Sequence, residues 1–477
     1  MSKFKKYIFE FKDVLKNFSY TLIYQILALV LPIITVPYVT RVLNQDLIGM
    51  NSVLQANCSY FELVGMLGIT LLGPREIAKC LGERKKLSET FFSIYKIQFF
   101  MHIVVMVIYG GYISFVVREP LGYFYYIYLI AYMFDISWLF IGIEDFKSVT
   151  IRNVFIRLLS FALLFLLVKR DSDIYIYVAT LYVPQILINI YMWNVALKKC
   201  VDFRIDAKIK RFFVLEAISL FLPQIASSIY TMLDKTVLGI FSTYAVAAVY
   251  TQGQTLLKLF YAVVPSFCKV MAPRIATCIE RKDEADVYKY MRMSCHVISA
   301  ISFLLFFGLL ATAKMFVAWY LPAGYSQTAD VLIICAPIIL MVSGANFISI
   351  EYLIPLGQQR KYTISVVTAA ILNLILNFSL APFWGVYGVC IGSVAAETVG
   401  FLIQLFYARK FINLRKVFSG FQVYLFSGLI MFLLLKIVIK YLTPSFFGIL
   451  FAAIMGGVVY GILVLSFRKM LKFRHQH

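Results

Sequence analysis

The fold class this sequence predicts is an all-α polytopic membrane protein of about fourteen transmembrane helices, and three observations predict it. Apolar residues fill 61% of the 477 positions and charged residues only 14%, with a mean hydropathy of +0.84. Soluble chains carry roughly 45–50% apolar and about 25% charged residues, so a soluble core cannot absorb this excess. Second, the apolar runs are long and continuous, close to the ~20 residues that a helix needs to cross a bilayer. The alternating strands of a membrane barrel are absent. Third, Lys and Arg gather in every second loop, the pattern of cytoplasmic loops.

Taken in chain order, the spans fall near 17–39, 47–72, 91–117, 121–143, 150–168, 174–197, 215–240, 246–272, 294–318, 330–355, 364–382, 385–409, 420–440 and 445–466. Before the first, MSKFKKYIFEFKDVLK reads as an interfacial amphipathic helix and, lacking a small-residue cleavage site, not as a signal peptide. Fourteen spans put both termini on one side. That side holds about 34 basic residues and the other about five, so both termini are expected in the cytoplasm. Two longer basic connections then divide the chain. The expected parts are an N-terminal six-helix lobe over 1–197, a linker over 198–214, a second six-helix lobe over 215–409, and a hairpin with a cytoplasmic tail over 410–477.

The formal net charge of +21 invites a nucleic-acid reading, but the basic residues follow topology and accompany no nucleic-acid motif. Eight cysteines form no C-x-x-C pair and four histidines show no ligand spacing, which argues against a disulfide framework or metal site. No phosphate-binding G-x-x-x-x-G-K-[ST] loop is present, so direct ATP hydrolysis is not expected. No cofactor is expected; Na+ or H+ are the candidate coupling ions.

The two lobes read as copies. Pro74-Arg75 and Pro273-Arg274 close the second and eighth spans at an offset of 199 residues. Carried back without gaps, Ser52, Gln55, Ser59 and Glu62 fall on Thr251, Gln254, Lys258 and Tyr261. Each set lies on one helical face as a polar stripe. Spans so related suggest parallel repeats about an axis along the membrane normal.

Charge at membrane depth is expensive and usually faces a cavity. The acidic candidates are Glu62, Asp135, Asp234, Glu351 and Glu397; the basic ones are Arg41, Lys96, Arg157, Lys235, Lys258 and Lys314. Glu62, Asp135 and Asp234 are the candidates for ion coupling. Ser52, Gln55, Ser59, Glu62, Thr251 and Gln254 are expected to line a cavity between the lobes. Lys258 sits mid-span on its stripe, where an anionic ligand in a wet cavity would offset its cost; a structural Glu62–Lys258 pair is the bland alternative. Arg41 and Lys235, near the outer ends of the first and seventh spans, could ring that cavity or snorkel to headgroups. Arg75 and Arg274 read as gate residues or cytoplasmic anchors.

Four stretches resemble Wzx-like polysaccharide flippases of the multidrug/oligosaccharidyl-lipid/polysaccharide exporter superfamily. They are LPIITVPYVTRVLNQDLIGMNSVLQANCSYFELVGMLGITLLGPREIA, DKTVLGIFSTYAVAAVY at 234–250, VVPSFCKVMAPRIA at 263–276, and QQRKYTISVVTAAILNLILNFSLAPFWGVYGVCIGSVAAE at 358–397. The resemblance covers essentially the whole chain. It implies two pseudo-symmetric lobes around a central cavity open alternately to each side of a bacterial inner membrane. It also implies an undecaprenyl-diphosphate-linked oligosaccharide as cargo, moved outward for capsule, O-antigen or exopolysaccharide assembly. Membrane lipids and a polysaccharide polymerase are the implied partners, with no nucleic acid. On it, Arg41 matches the basic residue after the first helix's PY, and Asp234-Lys235 match the acidic-basic pair of helix seven. Lys and Arg would supply the charge-assisted hydrogen bonds a diphosphate needs. The rivals are a lipid II flippase or drug exporter of the same superfamily, and a membrane polymerase or glycosyltransferase. The last would need catalytic carboxylates on a large outer loop, and the outer loops here are short.

Overall fold

A computed structural model describes residues 27–205 and 207–474. The amphipathic start and the first ten residues of the expected first span (17–26) lie outside the described residues, as do His475 and His477. Among the described residues every regular element is helical. In order they are α1 (Leu27–Val42), α2 (Gln45–Met66), α3 (Ile69–Ala78), α4 (Arg84–Tyr112), α5 (Pro120–Phe124), α6 (Tyr126–Met133), α7 (Ser137–Gly142), α8 (Phe146–Leu167) and α9 (Ile174–Val195). Then come α10 (Arg211–Phe241), α11 (Tyr244–Tyr261), α12 (Val263–Glu280), α13 (Glu284–Tyr320), α14 (Thr328–Cys335) and α15 (Pro337–Ile348). The chain closes with α16 (Gln359–Ala408), α17 (Leu414–Val417), α18 (Gln422–Val438) and α19 (Phe446–Arg474).

Ten helical stretches among the described residues are long and apolar enough to cross a membrane, or eleven counting the bent pair α14–α15. The difference from fourteen has local causes. The expected first span is described only as the short helix α1. The expected seventh lies in α10, and the eleventh and twelfth run together as α16. Gly385 bends α16 with φ 52° and ψ −127°, a backbone that side-chain-bearing residues avoid. Large apolar side chains such as Phe426, Leu433, Phe447, Ile454 and Leu465 stand exposed along α18 and α19, as helices do in lipid.

The chain divides into two compact units, Met1–Met232 and Leu233–His477, and the division falls inside α10. In the first, Phe91, Trp138, Phe140, Ile69 and Leu72 form the buried centre. The connection after α9 and the start of α10 fold back onto this centre. Lys96 Nζ donates to Ala207 O at 2.8 Å, and Asp202 N donates to Ser88 Oγ at 2.9 Å. In the second unit, Cys268, Met271, Met291, Phe347 and Leu353 form one buried cluster. Phe307, Tyr424, Met431 and Leu435 form another, through which the hairpin α18–α19 packs on α13.

Both units pass through the same elements at the offset read from the sequence. α2 starts at Gln45, capped by the Asn44 side chain, and α11 starts at Tyr244, capped by Thr243. A short break follows each, then a helix holding an internal proline, Pro74 in α3 and Pro273 in α12.

Candidate functional site

In the first unit, the span from Pro120 to Gly142 is broken between α6 and α7, at Phe134–Ile136. A break at membrane depth frees backbone carbonyls that water cannot reach. Gln98 of α4 answers it. Its Nε2 donates to Tyr132 O at 3.1 Å, Met133 O at 3.2 Å and Asp135 O at 2.9 Å, and its Oε1 accepts from Trp138 Nε1 at 3.0 Å. The same break turns Asp135 toward Arg152 of α8, whose Nη2 donates to Asp135 Oδ2 at 2.5 Å. Asp135 Oδ1 accepts from Ser137 N at 2.7 Å. Arg152 also reaches Asn189 Oδ1 of α9 through Nε at 3.2 Å and Nη2 at 3.0 Å. Asp135 and Arg152 are both buried, so this is an internal ion pair supplied with extra hydrogen bonds, the form in which buried charge is tolerable.

Beside the pair lies a cavity of about 440 Å³, walled by Tyr132, Tyr177, Tyr182, Arg157, Asn153 and Gln185 among others. Gln55 is the one residue of the α2 stripe that reaches it, and its Nε2 donates to Tyr182 OH at 3.0 Å. The rest of the stripe departs from the cavity-lining expectation. Ser52 and Ser59 are buried against their own unit, and their hydroxyls bond Ile48 O at 2.9 Å and Gln55 O at 2.7 Å. Ser59 also shares a 3.1 Å hydrogen bond with Tyr128. The reason is that the α2 face with 3,4,3 spacing meets the tyrosines of α6 and α9, which sequence spacing alone does not reveal. Glu62 is half-buried, within electrostatic range of Asp135. Asp135, expected as an ion-coupling group, is instead committed to Arg152.

The second unit holds a cluster around Asp234 of α10. Tyr250 of α11 donates its hydroxyl to Asp234 Oδ2, and Ser393 Oγ donates to the same oxygen at 3.0 Å. Asn377 Nδ2 donates to Asp234 Oδ1 at 2.6 Å and to Asn373 Oδ1 at 3.1 Å. Asn373 and Asn377 precede the Gly385 bend in α16 and Ser393 follows it, so the bend folds both arms of α16 onto one carboxylate. Asn377 Oδ1 is buried with no donor. These are hard oxygen donors, the kind that suit small oxygen-seeking cations. Among the described residues no three of His, Cys, Asp and Glu gather as a metal site.

Lys235 and Lys258 lie within electrostatic range of each other, and Asp234 is within range of both. Neither ammonium has a hydrogen-bond partner among the described residues. Lys235 is half-buried and Lys258 exposed. Of the α11 stripe, Gln254 Nε2 meets Cys335 Sγ at 3.6 Å, and the Thr251 hydroxyl is buried without a partner. Arg41 belongs to the first unit, where it is exposed and donates to Pro37 O at 2.9 Å. Arg75 pairs with Glu76 at 3.0 Å and with Glu216, tying α3 to the start of α10. Arg274 is exposed on α12, and Glu351 is fully buried in a π-helical turn after α15.

The model of a family described as "Polysaccharide biosynthesis protein" matches residues 14–279, more than half of the chain. The chain belongs to that family. Two relatives named "Putative O-antigen transporter" are similar to this family member over most of its length. One, from Escherichia coli (strain K12), is 22% identical over 83% of this chain and 96% of its own. The other, from Shigella dysenteriae, is 25% identical over 78% and 94%. Among solved structures, "Lipid II flippase MurJ, inward closed conformation" aligns with a TM-score of 0.66 at 15% identity, covering 96% of this chain and 99% of that one. An inward-facing multidrug resistance MATE family transporter of the MOP superfamily aligns at 0.62 and 12% identity, covering 81% and 99%. At such identities the structures establish the fold. By family the chain is a polysaccharide biosynthesis protein, and its fold is the one these transporter structures share.

Sequence reading missed Arg152, Gln98 and Asn189 in the first unit and Tyr250, Asn373, Asn377 and Ser393 in the second. One signal was visible: Asn373 and Asn377 are four residues apart, on one face of an apolar helix. The others are isolated polar residues in apolar runs, and their partners lie on different helices.

Proposed function

We propose that this family member is a flippase that moves an undecaprenyl-diphosphate-linked oligosaccharide from the inner to the outer leaflet by alternating access. The destination would be capsule, O-antigen or exopolysaccharide assembly, with hand-over to a polymerase. The observation that carries this reading is the Lys235–Lys258 pair. Two ammonium groups repel each other on apolar helices, and Asp234, a carboxylate within range of both, is already occupied by three donors. Such a site is complementary to a compact, doubly charged anion, and a diphosphate is the group that must shed its water to cross the bilayer. The tyrosine- and amide-lined cavity beside Arg152 suits the sugars, which need aromatic faces and hydrogen bonds together. Asp234 is the candidate coupling group, taking a proton or Na+ with the oxygens of Asn373, Asn377 and Ser393. Both termini would lie in the cytoplasm, on the side where the basic loops gather.

Lys258→Ala tests the reading. It should insert and fold normally yet leave lipid-linked oligosaccharide accumulating on the inner leaflet. Lys258→Arg should keep part of the export, since charge matters more than shape in an open site. Normal polymer export by Lys258→Ala would remove the diphosphate assignment.

A further inference from the structure

The second unit carries a site of another kind, at the end of its helices where α13 starts and α16 stops. α17 lies there, capped by the Asn413 side chain, which accepts from Arg415 N at 3.1 Å. Asn413 N donates to Tyr288 OH of α13 at 3.0 Å, so α17 is laid against α13. Between them is a cavity of about 570 Å³ walled by Lys289, Arg292, Arg415, Lys416, Tyr288 and Ser419. Among the described residues its cations are only partly neutralised, since of them Lys289 alone has an acidic partner within ion-pair distance, Asp286 at 3.5 Å. Arg292, Arg415 and Lys416 are exposed.

A second cavity of about 780 Å³ continues from this one, and Arg415 and Ser419 wall both. Its other walls are mostly apolar, with Phe303, Met341, Phe347, Phe401 and Phe418 among them, and Ser299 is one of the few polar ones. A basic chamber opening into an apolar one of this size has the two-part character of an amphiphile site, and both volumes lie in the range of about 300–1,000 Å³ that bound molecules occupy. The surroundings fix the level in the membrane. Lys361 stands over the Phe411 ring at 4.3 Å, Arg409 over Phe406 at 4.1 Å and Lys416 over Tyr288 at 5.6 Å. Cations resting on aromatic rings at the end of apolar helices mark the headgroup layer.

We propose that this pair of cavities binds one anionic glycerophospholipid, its phosphate among Arg292, Arg415 and Lys416 and an acyl chain in the phenylalanine-lined chamber. The lipid bridges α17 to α13, on a unit face distinct from the Lys235–Lys258 pair, and its binding does not depend on what the protein transports. A zwitterionic lipid offers the same chains with no net charge, and a free phosphate offers the charge without the chain. The site needs both.

Lipid retention by the full-length protein in detergent, read by native mass spectrometry, tests this. Phosphatidylglycerol should be retained over phosphatidylethanolamine of the same chains by about fivefold, the effect of about one additional charge contact. Removing three cations in Arg292→Ala/Arg415→Ala/Lys416→Ala should weaken phosphatidylglycerol retention about a hundredfold. These side chains are exposed, so the variant should still elute as the wild type does. Ser299→Trp, placed in the apolar chamber, should also release phosphatidylglycerol while leaving the basic residues intact. Inorganic phosphate should not compete at concentrations that leave the lipid soluble. Equal retention of the two lipids, undiminished phosphatidylglycerol in the triple variant, or full competition by inorganic phosphate or by an undecaprenyl phosphate would each overturn the proposal.

Discussion

Replacing Arg152 with methionine removes the cation from the most buried ion pair of the first unit while keeping much of the side chain's volume. The loss can be worked from the contacts. Asp135 gives up a 2.5 Å charge-assisted hydrogen bond and keeps only Ser137 N, and Asn189 Oδ1 loses both its donors. Asp135 is 7% exposed, so water from the adjoining cavity can replace the guanidinium only in part. Breaking a buried pair by removing one partner costs about 3–5 kcal/mol, because an uncompensated charge remains. Asp135→Asn on top of Arg152→Met removes that charge. The double variant should therefore recover about 2 kcal/mol or more of the single variant's loss, since coupled neighbours are non-additive by about 0.5–3 kcal/mol. The assay is reversible unfolding of the purified protein in detergent for wild type, both single variants and the double variant. If Arg152→Met loses less than about 1 kcal/mol, or if the double variant is no more stable than Arg152→Met, the carboxylate is not left stranded and the internal ion pair is not what holds this region.

Three further outcomes follow from other parts of the structure. Gln98→Leu strips hydrogen bonds from the carbonyls of the α6–α7 break and from the Trp138 indole; a loss of about 1–3 kcal/mol in the same unfolding assay is expected, and an unchanged midpoint would show that the break is satisfied otherwise. Gly388→Ala places a Cβ about 2.6 Å from Leu380 O across the bend of α16, an overlap that backbone movement must relieve at about 1–3 kcal/mol; full wild-type stability would mean that the two arms are not so close. Asp234→Asn should abolish any rise in thermal midpoint that sodium chloride gives over choline chloride, a rise that reflects about 2.7 kcal/mol of added stability when the ion is at a hundred times its dissociation constant; a wild-type midpoint indifferent to the cation rules out sodium at Asp234.

The sequence by itself determined the class of this protein. Composition and run length require helices in a bilayer, because no soluble core could bury so many apolar residues, and motif order pointed to the polysaccharide family and to the fold that were then found. It also marked Asp234, Lys235 and Lys258, since ionisable residues in apolar runs stand out one by one. What it could not determine was which of the polar residues are already occupied. Asp135 looked like a coupling group until the α6–α7 break put it on Arg152, seventeen residues further along and on another helix. Ser52 and Ser59 looked like cavity lining until the fold buried both in their own unit, Ser59 against Tyr128. Asn377 and Ser393 became partners of Asp234 only because Gly385 folds α16 back on itself. Hydropathy is summed along a chain and is legible locally. The partner of a buried polar group is set by how helices distant in sequence cross, and only the tertiary structure decides that.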